Sequence, residues 1–331
     1  MKIFKQILLT ILGISLFMVS ALVGYSVYNI QHVTTHISKD NADLGIEDET
    51  IKELQELMSL SKFNKDEIVN IALFGIDTRS VNNSKNSRSD SIIIATIDKK
   101  HNKIKLSSIM RDTYVKIDGH NNDKINHAYA FGGPQLAIKT INQNFGLDIK
   151  DFITVDFFGL EKIIDAIGGV QVDVKEHEVR ELNKFIKEVA KIENKPATLI
   201  ERAGTQTLNG MQAVSFGRIR KVGNGDYERT DRQRQIIIAM LNKIKTLDMS
   251  QVLSLINECS SSVRTSMTLS EGAKLATDVL SNMKNFTISQ ERFPKTGEGK
   301  KINGIWYMTT DIEKTKNSIQ DFIYEVDRTQ D

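Results

Sequence analysis

One cysteine, Cys259, stands alone in 331 residues. No intrachain disulfide can form, and without a CxxC partner Cys259 reads as a small buried hydrophobe. Only three prolines are present, which argues against long disordered linkers. Neither sign of charge dominates: 44 basic side chains nearly cancel 42 acidic ones, so electrostatics give no reason to expect nucleic-acid binding. The chain carries no Walker loop, GxSxG elbow, zinc signature or Rossmann fingerprint, and no internal repeat or low-complexity tract. These absences set aside secreted disulfide scaffolds, nucleic-acid binders and the common nucleotide and serine-hydrolase enzymes.

What is present is ordinary globular composition, with 40% apolar and 26% charged residues, behind one uncharged stretch. Residues 7–28, ILLTILGISLFMVSALVGYSVY, hold no charge, and twenty-two residues at helical rise span roughly 33 Å, about a bilayer core. Lys2 and Lys5 precede the stretch, so residues 1–6 are expected in the cytoplasm and the remainder of the chain outside. Val19-Ser20-Ala21 would suit a signal-peptidase site, but apolar cores of cleaved signals are shorter, so the stretch is read as a retained anchor. Residues 29–66 are read as an extracytoplasmic stalk with an amphipathic helix in IKELQELMSL, and His32 and His36 within it as solvated.

The main domain is expected from residue 67 to the end. IVNIALFGI (68–76), SIIIATI (91–97) and KIKLSSI (103–109) read as strands, the last two joined by the polar turn DKKHN. Helices are expected over 134–146, 159–169, 176–195, 209–219, 230–246, 250–257 and 270–284, and strands over 152–157 and 170–174. This mixture of strand hairpins and strand–helix units predicts an α/β sandwich with a mixed central sheet flanked by helices.

Charges collect where these strands end. If the first three strands are antiparallel neighbours, Asp77, Asp90 and Arg111 fall on one edge of the sheet, with Arg79 and Arg88 in the loop above. Two carboxylates held together repel unless one is protonated or a cation bridges them, and oxygen ligands of this kind suit Mg²⁺. A loop salt-bridge network such as Asp90 with Arg111 would explain the same spacing. A second cluster, FGRIRKVGNGDYERTDRQRQ (216–235), sets six basic residues against three acidic ones. Arg218 and Arg220 lie two apart, so on an extended segment they point the same way and repel, which a polyanion between them would relieve. Arg229 and Gln233 share a helical face, whereas Arg232 and Arg234 are expected to point partly to solvent.

The residues LFGIDTR, SRSDSIIIATID, SIMRDTYV, KINHAYAFGG, GGVQVDV, AGTQTLNGMQAVSFGRIR and GDYERTDRQRQ resemble the LytR-CpsA-Psr (LCP) family over roughly residues 67–245. The resemblance implies an LCP-type α-β-α sandwich and an extracytoplasmic phosphotransferase at the cell membrane. Such an enzyme moves a glycopolymer from a polyprenyl-pyrophosphate carrier to peptidoglycan and releases polyprenyl phosphate. It implies Mg²⁺ on Asp77 and Asp90 and pyrophosphate on Arg88, Arg111, Arg218 and Arg220, with Arg229, Gln233, Lys124 and Asn126 lining the same cleft. Two departures, Met110 for the family's proline and Gly217 for its alanine, bear on loop geometry and leave the charges in place. A prenyl chain needs an apolar tunnel, and Ile163, Ile164, Ile167 and Ile237 are expected in its wall. A non-catalytic polyprenyl-phosphate sensor and a polyprenyl-pyrophosphate hydrolase remain the competing readings. The sequence names neither the glycopolymer nor the base that takes the acceptor's proton.

Overall fold

A computed structural model describes residues 34–77, 87–223, 225–280 and 282–326. The anchor at residues 7–28, His32 and Arg79 lie outside these, and among the described residues no helix is long and apolar enough to cross a membrane.

Among the described residues the first helix is α1 (Asp48–Leu60), followed by strands β1 (Ile68–Ile76), β2 (Ser89–Asp98) and β3 (Lys103–Ile109). A small ribbon of β4 (Tyr114–Val115) and β5 (Asp123–Lys124) leads into α2 (His127–Phe145), which bends where Gly133 takes φ +65° just before Pro134. There follow β6 (Asp151–Asp156), α3 (Phe157–Ala166), β7 (Val170–Val174), α4 (Glu176–Glu193), β8 (Gly204–Leu208), α5 (Gly210–Phe216) and α6 (Asp226–Ile244). The last part holds α7 (Met249–Cys259), β9 (Val263–Thr265), α8 (Leu269–Leu280), β10 (Thr287–Phe293), the hairpin β11 (Glu298–Ile302) and β12 (Ile305–Thr309), and α9 (Ile312–Tyr324).

The central sheet has six strands in the order β10-β3-β2-β1-β6-β9. β1, β2 and β3 run antiparallel to their neighbours, whereas β6 joins β1 and β10 joins β3 in parallel, so the sheet is mixed as the strand pattern predicts. Strand alternation divides its side chains between two layers. Ala72, Phe74, Ile76, Ile92 and Ile94 pack with residues of α1, α2 and α9, and Ile93, Ile104 and Leu106 face Ile237 and Ile238 of α6. A third core lies between α3, α4, α5 and the β7–β8 ribbon, with Ile164, Leu182, Ile186 and Phe216 at its centre.

The stalk expectation fails for residues 34–66. Leu44, Ile46, Leu54, Leu57 and Phe63 are buried in the first core cluster, so α1 is an integral layer of the domain. Its apolar stripe is what carried the helix reading, but the stripe is covered by α2 and α9 and does not face solvent. Cys259 is buried, as expected, and its burial pushes the thiol's pKa up.

Candidate anion-binding cleft

The carboxyl ends of β1, β3 and β6 and the start of β2 meet at one edge. Ile76 of β1 pairs with Ser89 of β2 across a register shift at Gly75/Ile76, and with Asp156 of β6 on its other side. Asp77 therefore follows β1 beside Asp90 of β2, and Arg111 stands two residues past β3. Parallel α/β sheets place ligands outside their strands' carboxyl ends for this reason: loops and helix starts converge there. Asp156 caps α3 by accepting a hydrogen bond from the Gly159 amide at 2.6 Å, which fixes Phe157 at the same edge.

The second charged cluster folds onto this edge. Arg111 donates from Nη1 to Asp90 Oδ1 at 2.5 Å, and its other nitrogens lie 3.4 Å from Asp112 and 3.6 Å from Asp226. Burial opposes its charge, but Asp90, Asp112 and Asp226 outweigh burial and raise its pKa. Arg220 reaches Asp90 at 3.4 Å and Asp226 at 3.9 Å. Arg229, only 2% exposed, sits 3.3 Å from Asp226. Its Nη1 has no hydrogen-bond partner among the described residues. Burial, and next the Arg111 guanidinium, push its pKa down to about 10, so it stays charged at neutral pH with an unmet donor. Such a donor costs free energy unless an anion meets it. Arg218 lies over the rings of Phe157 and Phe185, 5.7 and 5.3 Å from their centroids, and pairs with Glu188 at 3.2 Å. Lys124 is bonded to Asp112 at 2.7 Å, and buried Asn126 joins the wall through its amide, 3.2 Å from the Arg111 carbonyl.

Three connected cavities result. A polar cleft of about 530 Å³ is lined by Asp77, Arg88, Asp90, Arg111, Lys124 and Arg220, with Asp112, Asn126 and His127 completing its wall. A pocket of about 180 Å³ shares Asp77, Asp90 and Arg220 with it and adds Arg218, Arg229 and Gln233. The third, of about 240 Å³, is apolar and lies between the sheet (Leu73, Ile93, Ile153) and the helices (Leu160, Ile163, Ile237, Met240). Phe157, Gly217 and Gln233 belong both to this apolar cavity and to the arginine pocket, so the two adjoin. All the expected cleft residues thus come to one place.

Three expectations need correction. Ile164 and Ile167 do not line the apolar cavity; they are 0% and 4% exposed in the third core cluster, because they point from α3 toward α4 and α5 while Leu160 and Ile163 face the sheet. Arg232 is fully buried and donates to Glu178 and Glu228, each at 2.7 Å, and to the Ile219 carbonyl at 3.1 Å. Arg234 is also buried, held by Asp231 and by Gln290 at 2.9 Å. For Asp90 the salt-bridge network is realised, with Arg111 and Arg220 as its partners. Sequence reasoning missed Phe157 and His127 as cleft residues. The strand-to-helix junction at 156–157 and the KINHA motif were the signals that could have placed them.

The two carboxylates of Asp77 and Asp90 supply hard oxygen donors at adjoining strand ends, and both line the polar cleft and the arginine pocket; this donor chemistry fits Mg²⁺. Among the described residues, two other groupings could hold a metal, Asp98–His101–Glu325 and His177–Glu178–Glu228. Each holds a protein cation, Lys105 in the first and Arg232 in the second, as Asp90 holds Arg111 and Arg220.

The fold is a mixed α/β sandwich whose arginine-lined edge adjoins an apolar cavity. The chain belongs to the LytR-CpsA-Psr family: the LytR_cpsA_psr family matches residues 27–321. It is 32% identical over 314 residues to the polyisoprenyl-teichoic acid–peptidoglycan teichoic acid transferase TagU of Bacillus cereus, an alignment covering 92% of each chain. Among solved structures, TagT bound to LIIa-WTA superposes with a TM-score of 0.62 at 25% identity, covering 78% of this chain and 91% of that one. B. subtilis TagV superposes with a TM-score of 0.62 at 27% identity, covering 78% of this chain and 98% of that one.

Proposed function

We propose that this protein transfers a phosphate-linked glycopolymer from a polyprenyl-pyrophosphate carrier to a sugar hydroxyl of peptidoglycan. The observation that carries the reading is the junction at Phe157, Gly217 and Gln233, where a cationic pocket adjoins an apolar cavity. A pyrophosphate head with a long hydrocarbon tail matches both halves, each buried CH₂ gaining roughly 0.8 kcal/mol. The TagU relative's name as a peptidoglycan teichoic acid transferase and the LIIa-WTA bound in the TagT structure agree with it.

Phosphoryl transfer asks the protein for position and charge neutralisation more than for covalent help. Arg111, Arg220 and Arg229 would grip the non-bridging oxygens, and Arg218, braced on two phenylalanine rings, would close the pocket over them. The acceptor oxygen forms a bond to the phosphorus carrying the glycopolymer, and the bond from that phosphorus to the bridging oxygen breaks. Polyprenyl phosphate leaves with the electron pair, and the hydroxyl proton passes to water in the cleft. Guanidinium groups fixed around the oxygens favour this step because the charge they meet grows as the bond breaks. Asp77 and Asp90 would hold Mg²⁺, which supplies Lewis-acid neutralisation of pyrophosphate oxygens when bound. In this reading residues 7–28 anchor the chain and the domain works on the outer side of the cell membrane.

The test is transfer from a polyprenyl-pyrophosphate-linked glycopolymer to peptidoglycan. Arg111→Ala, Arg218→Ala and Arg220→Ala should each weaken carrier binding, and Arg→Lys should not fully restore it, because lysine lacks the planar fork. Release of glycopolymer into water with no acceptor product would show a hydrolase instead. Tight carrier binding without turnover would show a sensor.

A further inference from the structure

The hairpin of β11 and β12 lies in the part of the chain that carries no motif, yet it packs against two residues of the cleft wall, Asp112 and Lys124. The Met308 amide donates to the Asp112 carbonyl at 2.9 Å, and Tyr307 meets Tyr114 edge to face at 4.9 Å. In β12, Ile305 and Trp306 are 52% and 39% exposed. The indole is also seated. It lies against Gly299 of β11, where a Cβ would come within 2.7 Å of its Nε1, so glycine lets the ring rest on the strand. Its partner across the ribbon is Lys301.

Lys124 connects this ring to the cleft. Its ammonium lines the polar cavity and binds Asp112, and it sits 5.9 Å from the centroid of Trp306 and 5.7 Å from that of Tyr307. Beside it, His127 bonds Asp123 at 2.7 Å and lines the same cavity. An aromatic face flanked by charged donors and a carboxylate is the chemistry that holds a pyranose: the ring's C–H face on the indole, its hydroxyls on the polar groups.

We propose that Trp306, with Lys124, forms a subsite for a sugar ring of the acceptor wall glycan. The choice of the acceptor rests on the transfer reading above and on the order of the cavities. The prenyl end would enter through the apolar cavity, the arginine pocket adjoins it, and Lys124 and His127 line the polar cleft but neither of the other two cavities. Attacking and leaving oxygens lie roughly in line in phosphoryl transfer. With polyprenyl phosphate departing on the apolar side, the attacking hydroxyl arrives from the Lys124 side, and Trp306 borders that approach.

The chain has a single tryptophan, so its emission reports on this place alone. Full-length protein in detergent is titrated with soluble N-acetylhexosamine oligosaccharide prepared from peptidoglycan, with and without a short-chain polyprenyl pyrophosphate. A saturable shift of Trp306 emission is expected. In transfer assays Trp306→Ala should raise the acceptor KM about tenfold while carrier binding stays unchanged, and Trp306→Phe should recover part of the loss. Gly299→Val, which dislodges the ring without removing it, should reproduce the Trp306→Ala defect. No saturable emission change at millimolar oligosaccharide, or an unaltered acceptor KM in Trp306→Ala, overturns the subsite. If wild-type protein fails to bind carrier at all, the transfer reading falls; the emission titration without carrier then decides glycan binding alone.

Discussion

Replacing Arg232 by alanine should cost more stability than any cleft substitution. Its guanidinium is sealed from water and satisfied by Glu178, Glu228 and the Ile219 carbonyl, with the Phe216 ring 6.0 Å away. Glu178 is itself only 4% exposed. Truncation strands that carboxylate without a counter-charge, and breaking such a buried pair costs about 3–5 kcal/mol. For a domain of this size each kcal/mol lowers the melting temperature by about 2–4 °C, so a fall of about 6–20 °C is expected. Function should suffer as well, because the Ile219 carbonyl that Arg232 holds lies between Arg218 and Arg220. Calorimetry or thermal circular dichroism on Arg232→Ala, alongside Arg220→Ala, measures the first effect, and the transfer assay the second. Arg220 is 45% exposed on its side chain and should melt near wild type. Adding Glu178→Gln to Arg232→Ala should return part of the lost stability by removing the stranded charge. A melting point for Arg232→Ala within about 2 °C of wild type, or no recovery in the double variant, would refute this account.

Ile237→Trp should fill the apolar cavity, leave the melting point near wild type and abolish binding of long-chain but not short-chain polyprenyl phosphate. Ile164→Trp, in close-packed core, should instead destabilise by about 1–3 kcal/mol and leave affinity unchanged; the reverse pattern would move the lipid site elsewhere. Asp77→Ala and Asp90→Ala should each abolish Mg²⁺-dependent transfer with the fold largely intact, and full Mg²⁺-dependent activity in either variant would remove that residue as a ligand. Burial, and next its hydrogen bond with Glu193, raise the Glu161 carboxyl from 4.5 to about 7. The folded state then holds this proton more tightly than the unfolded chain, so stability should decline as pH rises from about 4.5 to about 7, and Glu161→Gln should flatten that decline in urea titrations. Protease added to protoplasts should remove the large domain and leave a small membrane stub; a protected domain would reverse the proposed topology.

The sheet edge was legible because hydrophobic runs and charges carry independent information. Three apolar strands bounded by polar turns set β1, β2 and β3 side by side, and Asp77, Asp90 and Arg111 then had to share an edge. The walls of the lipid cavity were harder. Leu160, Ile163, Ile164 and Ile167 are all apolar because α3 is buried on two sides, so helical periodicity could not say which side faces the cavity and which the core. Arg232 and Arg234 were misread for a related reason: a charged residue signals solvent until its buried partner is known, and Glu178 lies in a different helix. β10 escaped notice because an exposed edge strand such as TISQERF lacks a clean alternation of apolar and polar residues. The hairpin bearing Trp306 followed it into obscurity, since two short strands of mixed polarity look like a loop.

The parallel pairing of β10 with β3 also sets the order in which this chain can mature. Lys103 meets Thr287, and α9 packs over α2, so the segment from Thr287 onward closes surfaces made in the first half of the polypeptide. Until that segment is synthesised, β3 offers an open row of amide and carbonyl groups, and Phe145 and Ile109 lack part of their cover. Closure that depends on such distant partners is slow and leaves the nascent chain prone to association. A ribosome-bound intermediate cut anywhere before β10 should therefore be held open by chaperones, and the motif-bearing region alone should not survive as a unit.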